Sequence, residues 1–133
     1  MSVVSCIGSL TSATLRMANA AATDAAKGAN EVRTRHEKFE IVSMHGTVEY
    51  DPAKDRVTRH IHLALSDKNG ACWGGHVMSK REGGGATDEL QLLPIYTTAE
   101  VTLLVQHDVV FDRAHCELSG WPELRVRSLI HDT

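Results

Sequence analysis

Three histidines, His60, His62 and His76, lie in the stretch Arg59 to Met78, RHIHLALSDKNGACWGGHVM. Imidazole is the side chain best suited to hold a divalent transition metal near neutral pH. Two imidazoles two residues apart on a β-strand point the same way and grip one ion together. A third from a neighbouring strand completes a facial set and leaves coordination positions open for water or substrate. Zinc held in that manner brings the pKa of a bound water down to about 7.

The elements that position these residues are read from periodicity. From Arg59 to Leu65 apolar and polar residues alternate, so His60, His62 and Ala64 share one face and Ile61, Leu63 and Leu65 the other. Asp67-Lys68-Asn69-Gly70 signals a turn, and Ala71 to Met78 is the return strand of a hairpin. Two turns suit these residues. A two-residue Asn69-Gly70 loop pairs Lys68 with Ala71 and sends His76 to the face away from His62. A three-residue loop with Gly70 left-handed at a bulge pairs Asp67 with Ala71 and His62 with His76. Spacing leaves both open.

Glu100 is the other residue of chemical interest. It sits among threonines in the longest period-2 run of the chain, Ile95 to Val105, where an unpaired buried carboxylate would be costly. Its expected partner is a histidine ring, a metal or a basic side chain such as Arg59 or Arg113. In the first case it orients a ligating histidine, and beside metal-bound water it acts as a general base.

The composition bounds the rest. The 133 residues make one domain, spanning 1-133, with 42% hydrophobic and 23% charged residues. A formal net charge of −3 opposes whole-surface attraction to nucleic acid. Three cysteines, Cys6, Cys72 and Cys116, are odd in number and widely spaced. That pattern points away from a disulfide framework and towards an intracellular, reducing compartment, cytoplasm or nucleus. No apolar run is long enough to span a membrane as a helix.

Further strands are expected at Ser2 to Ile7, Ala13 to Met17, Phe39 to Val48, Val109 to Phe111 and Glu123 to Leu129. In the third of these, simple alternation puts Phe39, Ile41 and Ser43 on one face and Glu40, Val42 and Met44 on the other. Insertions are expected at about 19-35, Ala-rich and in part helical, and at 79-92, where Gly83-Gly84-Gly85 reads as a loop. Trp73 and Trp121 read as packing residues.

The segments FEIVSMHGTV, HIHLALSDKNGACWGGHVM, IYTTAEVTLL and GWPELRV, in this order, resemble the plants-and-prokaryotes-conserved (PPC) domain from about Val3 to Val126. The family includes small prokaryotic proteins and plant AT-hook nuclear proteins. In it, and in the related acetolactate decarboxylase-like fold, histidines in this arrangement are associated with metal. The resemblance therefore implies His60, His62 and His76 as ligands of zinc or another divalent transition metal. It implies an α+β fold, a mixed or mainly antiparallel sheet with few helices, assembled as a homotrimer. It implies that the family's first strand and helix are missing ahead of Ser2, marking a truncated gene model or a surface that a partner covers. In plant members an Arg-Phe-Glu-Ile-Leu stretch is implicated in partner contacts, and Lys38, Phe39, Glu40 and Ile41 match it in part. The AT-hook core Arg-Gly-Arg-Pro does not occur in this sequence.

Three classes of function follow. One is a metal-binding, oligomeric binding module linked by resemblance to DNA-associated regulation. Another is a zinc-dependent hydrolase or lyase with Glu100 as base. The last is a metal-free structural trimer, favoured if the turn sends His76 away from His62.

Overall fold

The structure, a computed structural model, describes residues 1–18, 32–51, 55–78, 93–118, 120 and 122–129. Among the described residues nine strands form and there is no helix: β1 (Ser2–Leu10), β2 (Ala13–Arg16), β3 (Val32–Arg35), β4 (Phe39–Asp51), β5 (Arg56–Ser66), β6 (Cys72–Val77), β7 (Ile95–Leu104), β8 (Val109–His115) and β9 (Pro122–Ser128). Seven of them make one antiparallel sheet in the order β3-β2-β6-β5-β4-β1-β7, and β8 and β9 pair in a separate two-stranded ribbon.

This corrects the α+β expectation. The fold is all-β. The helices came from the family pattern, whereas the period-2 alternation of the described segments dictates strands. The Ala-rich residues 19–31 and the Gly83–Gly85 run lie outside the described residues, as does Trp121. The end of the first expected insertion, Val32–Arg35, is β3, which pairs with β2 from Ala13↔Arg35 to Arg16↔Val32.

One face of the large sheet carries the core, centred on Phe39, Leu10, Leu15 and Leu65, all fully buried. Ile61, Leu63 and Leu65 deliver β5 to it, and Val77 delivers β6. Burying such side chains contributes roughly 2 kcal/mol each. In β4, Phe39 is buried and Ile41 packs on the core, but so do Met44 and Val48. The phase changes because the β4–β5 register slips between Ile41 and Ser43, a β-bulge that leaves Val42 exposed. Met44 therefore shares the face of Phe39, against simple alternation. Beyond the bulge, His45, Thr47 and Glu49 fall on the opposite face, paired with His62, His60 and Thr58.

The β5–β6 turn is the three-residue alternative. Asp67 N–H donates to Ala71 O at 3.0 Å, Gly70 N–H donates to Asp67 O at 3.0 Å, and Gly70 has φ +78°. The Asp67 carboxylate accepts from the N–H groups of Asn69 and Ala71, both at 2.9 Å. Those two bonds favour its charged form and hold its pKa below the usual carboxylate range.

Candidate metal centre

The turn fixes the register His62↔His76, and strand alternation adds His60 to the same face. All three rings meet. The His60 and His62 rings stack at 5.2 Å between centroids and 15° between planes. His76 stands edge-on to both, 4.8 Å from His60 and 5.4 Å from His62. One ring nitrogen from each residue lies within 4.8 Å of the other two.

The donor set fits a metal. With Zn–N near 2.05 Å, two ligands of a tetrahedral ion sit about 3.3 Å apart. His60 Nε2 and His62 Nε2 are 3.2 Å apart. The His76 nitrogen lies within 4.8 Å of both. Burial runs from exposed His62 through half-buried His60 to buried His76.

The electrostatics keep His60 and His62 in the form that a metal would bind. Burial, then the charges of His76, Arg113, His62 and Arg16, push the His60 pKa down to about 4. His62 is lowered by burial, then by His76 and Arg16. At neutral pH these two imidazoles therefore carry no charge and present lone pairs.

Two arginines flank the centre. Arg16 on β2 lies directly across from His76 on β6. Arg113 on β8 reaches β4, where its Nη2 donates to Thr47 Oγ1 at 2.9 Å, and Thr47 is the cross-strand neighbour of His60. The Arg113 Nη2 and Nε also bind the Glu49 carboxylate at 3.1 and 3.3 Å. Thr58 Oγ1 donates to Glu49 Oε2 at 3.0 Å, and Thr47 donates to Oε1. The Glu49 side chain is only 2% exposed, so this buried carboxylate is satisfied on both oxygens.

Residues 1–93 match the Plants and Prokaryotes Conserved (PCC) domain. The chain belongs to that family. The match takes in all three histidines and ends before β7, short of Val126. A protein of Salmonella enterica described only as hypothetical is similar in structure, with a TM-score of 0.71 at 28% identity, over 97% of this chain and 74% of that one. Candidate DNA-binding proteins of Bacteroides thetaiotaomicron and Ralstonia eutropha share the fold at TM-scores of 0.60, with 18% and 17% identity. The Bacteroides match covers 94% of this chain and 73% of that one, and the Ralstonia match 93% and 72%. The bifunctional protein GlmU of Synechococcus sp. (strain JA-3-3Ab) is 32% identical over 131 residues, 98% of this chain. The chain spans only 17% of the length of that curated relative.

Other residues singled out in the PCC domain sequence do not join the histidines. Glu100 lies on β7, exposed and across from Ile7. Strands β4 and β1 stand between β7 and β5. Because β7 is an edge strand open to solvent, the carboxylate escapes the burial cost that called for a partner. It has none among the described residues. Arg59 donates to the carbonyls of Val77 and Met78, at 3.4 and 3.0 Å, and Arg113 serves Glu49. Of the partner-contact stretch, Phe39 is in the core, packed at 5.8 Å on Trp73. Lys38 donates to Tyr96 Oη at 2.6 Å, Glu40 is exposed and Ile41 is half-buried. Cys72 shares the histidine face but lies exposed beside the turn, and all three cysteines are free. No helix among the described residues is long and apolar enough to cross a membrane, which says nothing of a β-barrel.

Arg16, Glu49 and Thr47 were not legible as site residues. Arg16 meets His76 through a cross-strand pairing of distant segments that leaves no local signal. Glu49 and Thr47 alternate with His45, a signal visible only once the bulge has set the phase.

Proposed function

We propose that this PCC domain is a metal-binding module in which His60, His62 and His76 hold one divalent ion, zinc foremost, with positions left open. The observation that carries the reading is the convergence of three imidazole nitrogens within 4.8 Å. The turn that puts His76 beside His62 also weighs against the metal-free alternative. Zinc suits an all-imidazole set. When bound, such an ion supplies Lewis-acid polarisation and an acidified water. A hydrolase or lyase reading would use that chemistry, but Glu100 on β7 is too many strands away to act as base within one chain.

The module is proposed to work as a homo-oligomer, a trimer by its family. Ile95, Val101 and Leu103, which share one face of the edge strand β7, are each about half exposed. An apolar surface of this extent calls for cover by a second copy or by further chain. Association with DNA-bound regulation is proposed through protein partners, since the net charge of −3 opposes direct attraction to the duplex.

The test is elemental analysis of untagged, chelator-free protein alongside His62→Ala and His76→Ala. Near-stoichiometric metal in the wild type and loss in both variants is the expected result. A wild type that takes up no metal on reconstitution defeats the reading.

A further inference from the structure

A fourth histidine shares the face of the three. Beyond the bulge, His45 on β4 lies directly across from His62, as His76 does on β6. His45, His62 and His76 therefore form one row over three adjacent strands. Side chains paired in this way start about 5 Å apart. His45 is exposed, and it is outside the group whose ring nitrogens come within 4.8 Å of one another. It stands next to the centre without being one of the converging donors.

The row has two unlike flanks. Towards the ribbon stand Thr47 and His60, where Arg113 binds Thr47 and Glu49. Towards the β5–β6 turn, the next row on the same face is Ser43, Ala64 and Gly74. Ser43 and Ala64 are half-buried and Gly74 is exposed. Side chains this short do not rise to the height of the rings, so they make a low floor beside the histidine row. The two exposed imidazoles, His45 and His62, stand at its edge. A molecule that holds an open position of the ion and extends over this floor passes the His45 ring. A neutral imidazole offers one N–H donor and one lone pair, so it answers either kind of polar group.

We propose that His45 is a binding residue of the centre, its ring hydrogen-bonding the molecule that takes an open coordination position while Ser43, Ala64 and Gly74 give that molecule room. The proposal rests on the metal-binding reading above and names the recognition chemistry at the same site. The ligand class is a small, flat compound that gives the ion an oxygen and carries a second hydrogen-bonding group beside it. The ion fixes one end of such a compound and His45 selects the other.

Cobalt-loaded protein provides the test, since the visible spectrum of cobalt reports its coordination. Cobalt uptake is measured first and decides the metal reading by itself. Wild type, His45→Phe and His45→Gln are then titrated with acetohydroxamate, which has polar groups for both the ion and the ring. Thiocyanate, which binds end-on and donates no hydrogen bond, is the control. His45→Phe keeps the bulk of the ring without its nitrogens, and His45→Gln keeps a donor and an acceptor. Cobalt stoichiometry and the spectrum before any addition should be the same in all three. Acetohydroxamate should bind about fivefold more weakly to His45→Phe and within about twofold of wild type to His45→Gln, with thiocyanate within about twofold throughout. Ala64→Leu, which raises the floor and keeps every histidine, should also weaken acetohydroxamate. Equal acetohydroxamate affinity in wild type and His45→Phe overturns the proposal and spares the metal site. So does a parallel loss of thiocyanate, or a spectrum already changed in His45→Phe before any addition, which would make His45 a direct ligand. Unchanged affinity in Ala64→Leu overturns the placement over the floor. Failure of the wild type to take up cobalt removes both readings.

Discussion

The Glu49–Arg113 pair makes an asymmetric prediction. The Glu49 side chain is 2% exposed and that of Arg113 19%. Arg113→Met leaves a carboxylate out of reach of water, with only the Thr47 and Thr58 hydroxyls for partners. Removing one member of a buried pair costs about 3–5 kcal/mol. Glu49→Gln keeps the shape and one acceptor, while Arg113 retains some access to solvent, so the cost is about 1–2 kcal/mol. For a chain of this length a loss of about 3 kcal/mol lowers Tm by about 10 °C. Urea unfolding at fixed protomer concentration measures both, and fixing the concentration matters if copies associate. When Glu49→Gln is already present, Arg113→Met should cost at least about 2 kcal/mol less than in the wild type, because no charge is stranded. The same arginine ties the two-stranded ribbon to β4, and an isolated ribbon is marginal. Hydrogen exchange across Val109–His115 should therefore accelerate in Arg113→Met. Equal costs for the two single variants, or a larger cost for Glu49→Gln, would refute the reasoning.

In the metal-free protein, the depressed His60 pKa makes stability fall with acid. Near pH 5 the unfolded chain binds a proton on this ring and the folded chain does not, so stability is lost as pH drops from about 6.5 towards 4. The ring is partly open to water, which cuts the full linkage to about 1–2 kcal/mol. Urea midpoints at pH 7, 6 and 5 should show a shallower slope in His60→Gln, and an unchanged slope would count against it. Gly46→Ala should prevent stable folding, read by thermal melts, because its Cβ would sit 2.0 Å from the His60 carbonyl oxygen. Gly70→Ala meets nothing within 4 Å and should cost only its positive φ, about 1 kcal/mol, read by thermal melts. Light scattering should find an oligomer that Val101→Lys dissociates, and a monomeric wild type would end that proposal.

Much of the sheet was legible because period-2 alternation is a strong signal where one face is buried. β5, β6 and β7 fall close to where the pattern put them. The helices expected from the family were not, and they had no support in the alternation of the described segments. The place of Glu100 was hidden for a different reason. Its sequence neighbours are those of an interior strand, but β7 is at the edge, and edge position is a property of topology that a strand's own sequence does not carry.

Two one-residue choices of register assemble the candidate centre. With the shorter turn His76 would point into the core side, and only two imidazoles would face one another. Without the bulge at Val42, Gly46 would oppose His60, and Thr47 and Glu49 would fall on the core face, where Glu49 has no place. A strand has only two faces, so a single inserted residue exchanges them for everything downstream. The bulge does leave a mark in the sequence. Apolar residues at 39 and 41 give way to apolar residues at 44 and 48, a switch from odd to even positions that uninterrupted alternation cannot produce. Read as a phase change, it places His45, Thr47 and Glu49 beside His60 and His62, and makes Glu49 the carboxylate most in need of a cation. Arg113 then answers a requirement set by β4 itself, and the charges beside the candidate centre follow from that slip as the histidine cluster follows from the turn.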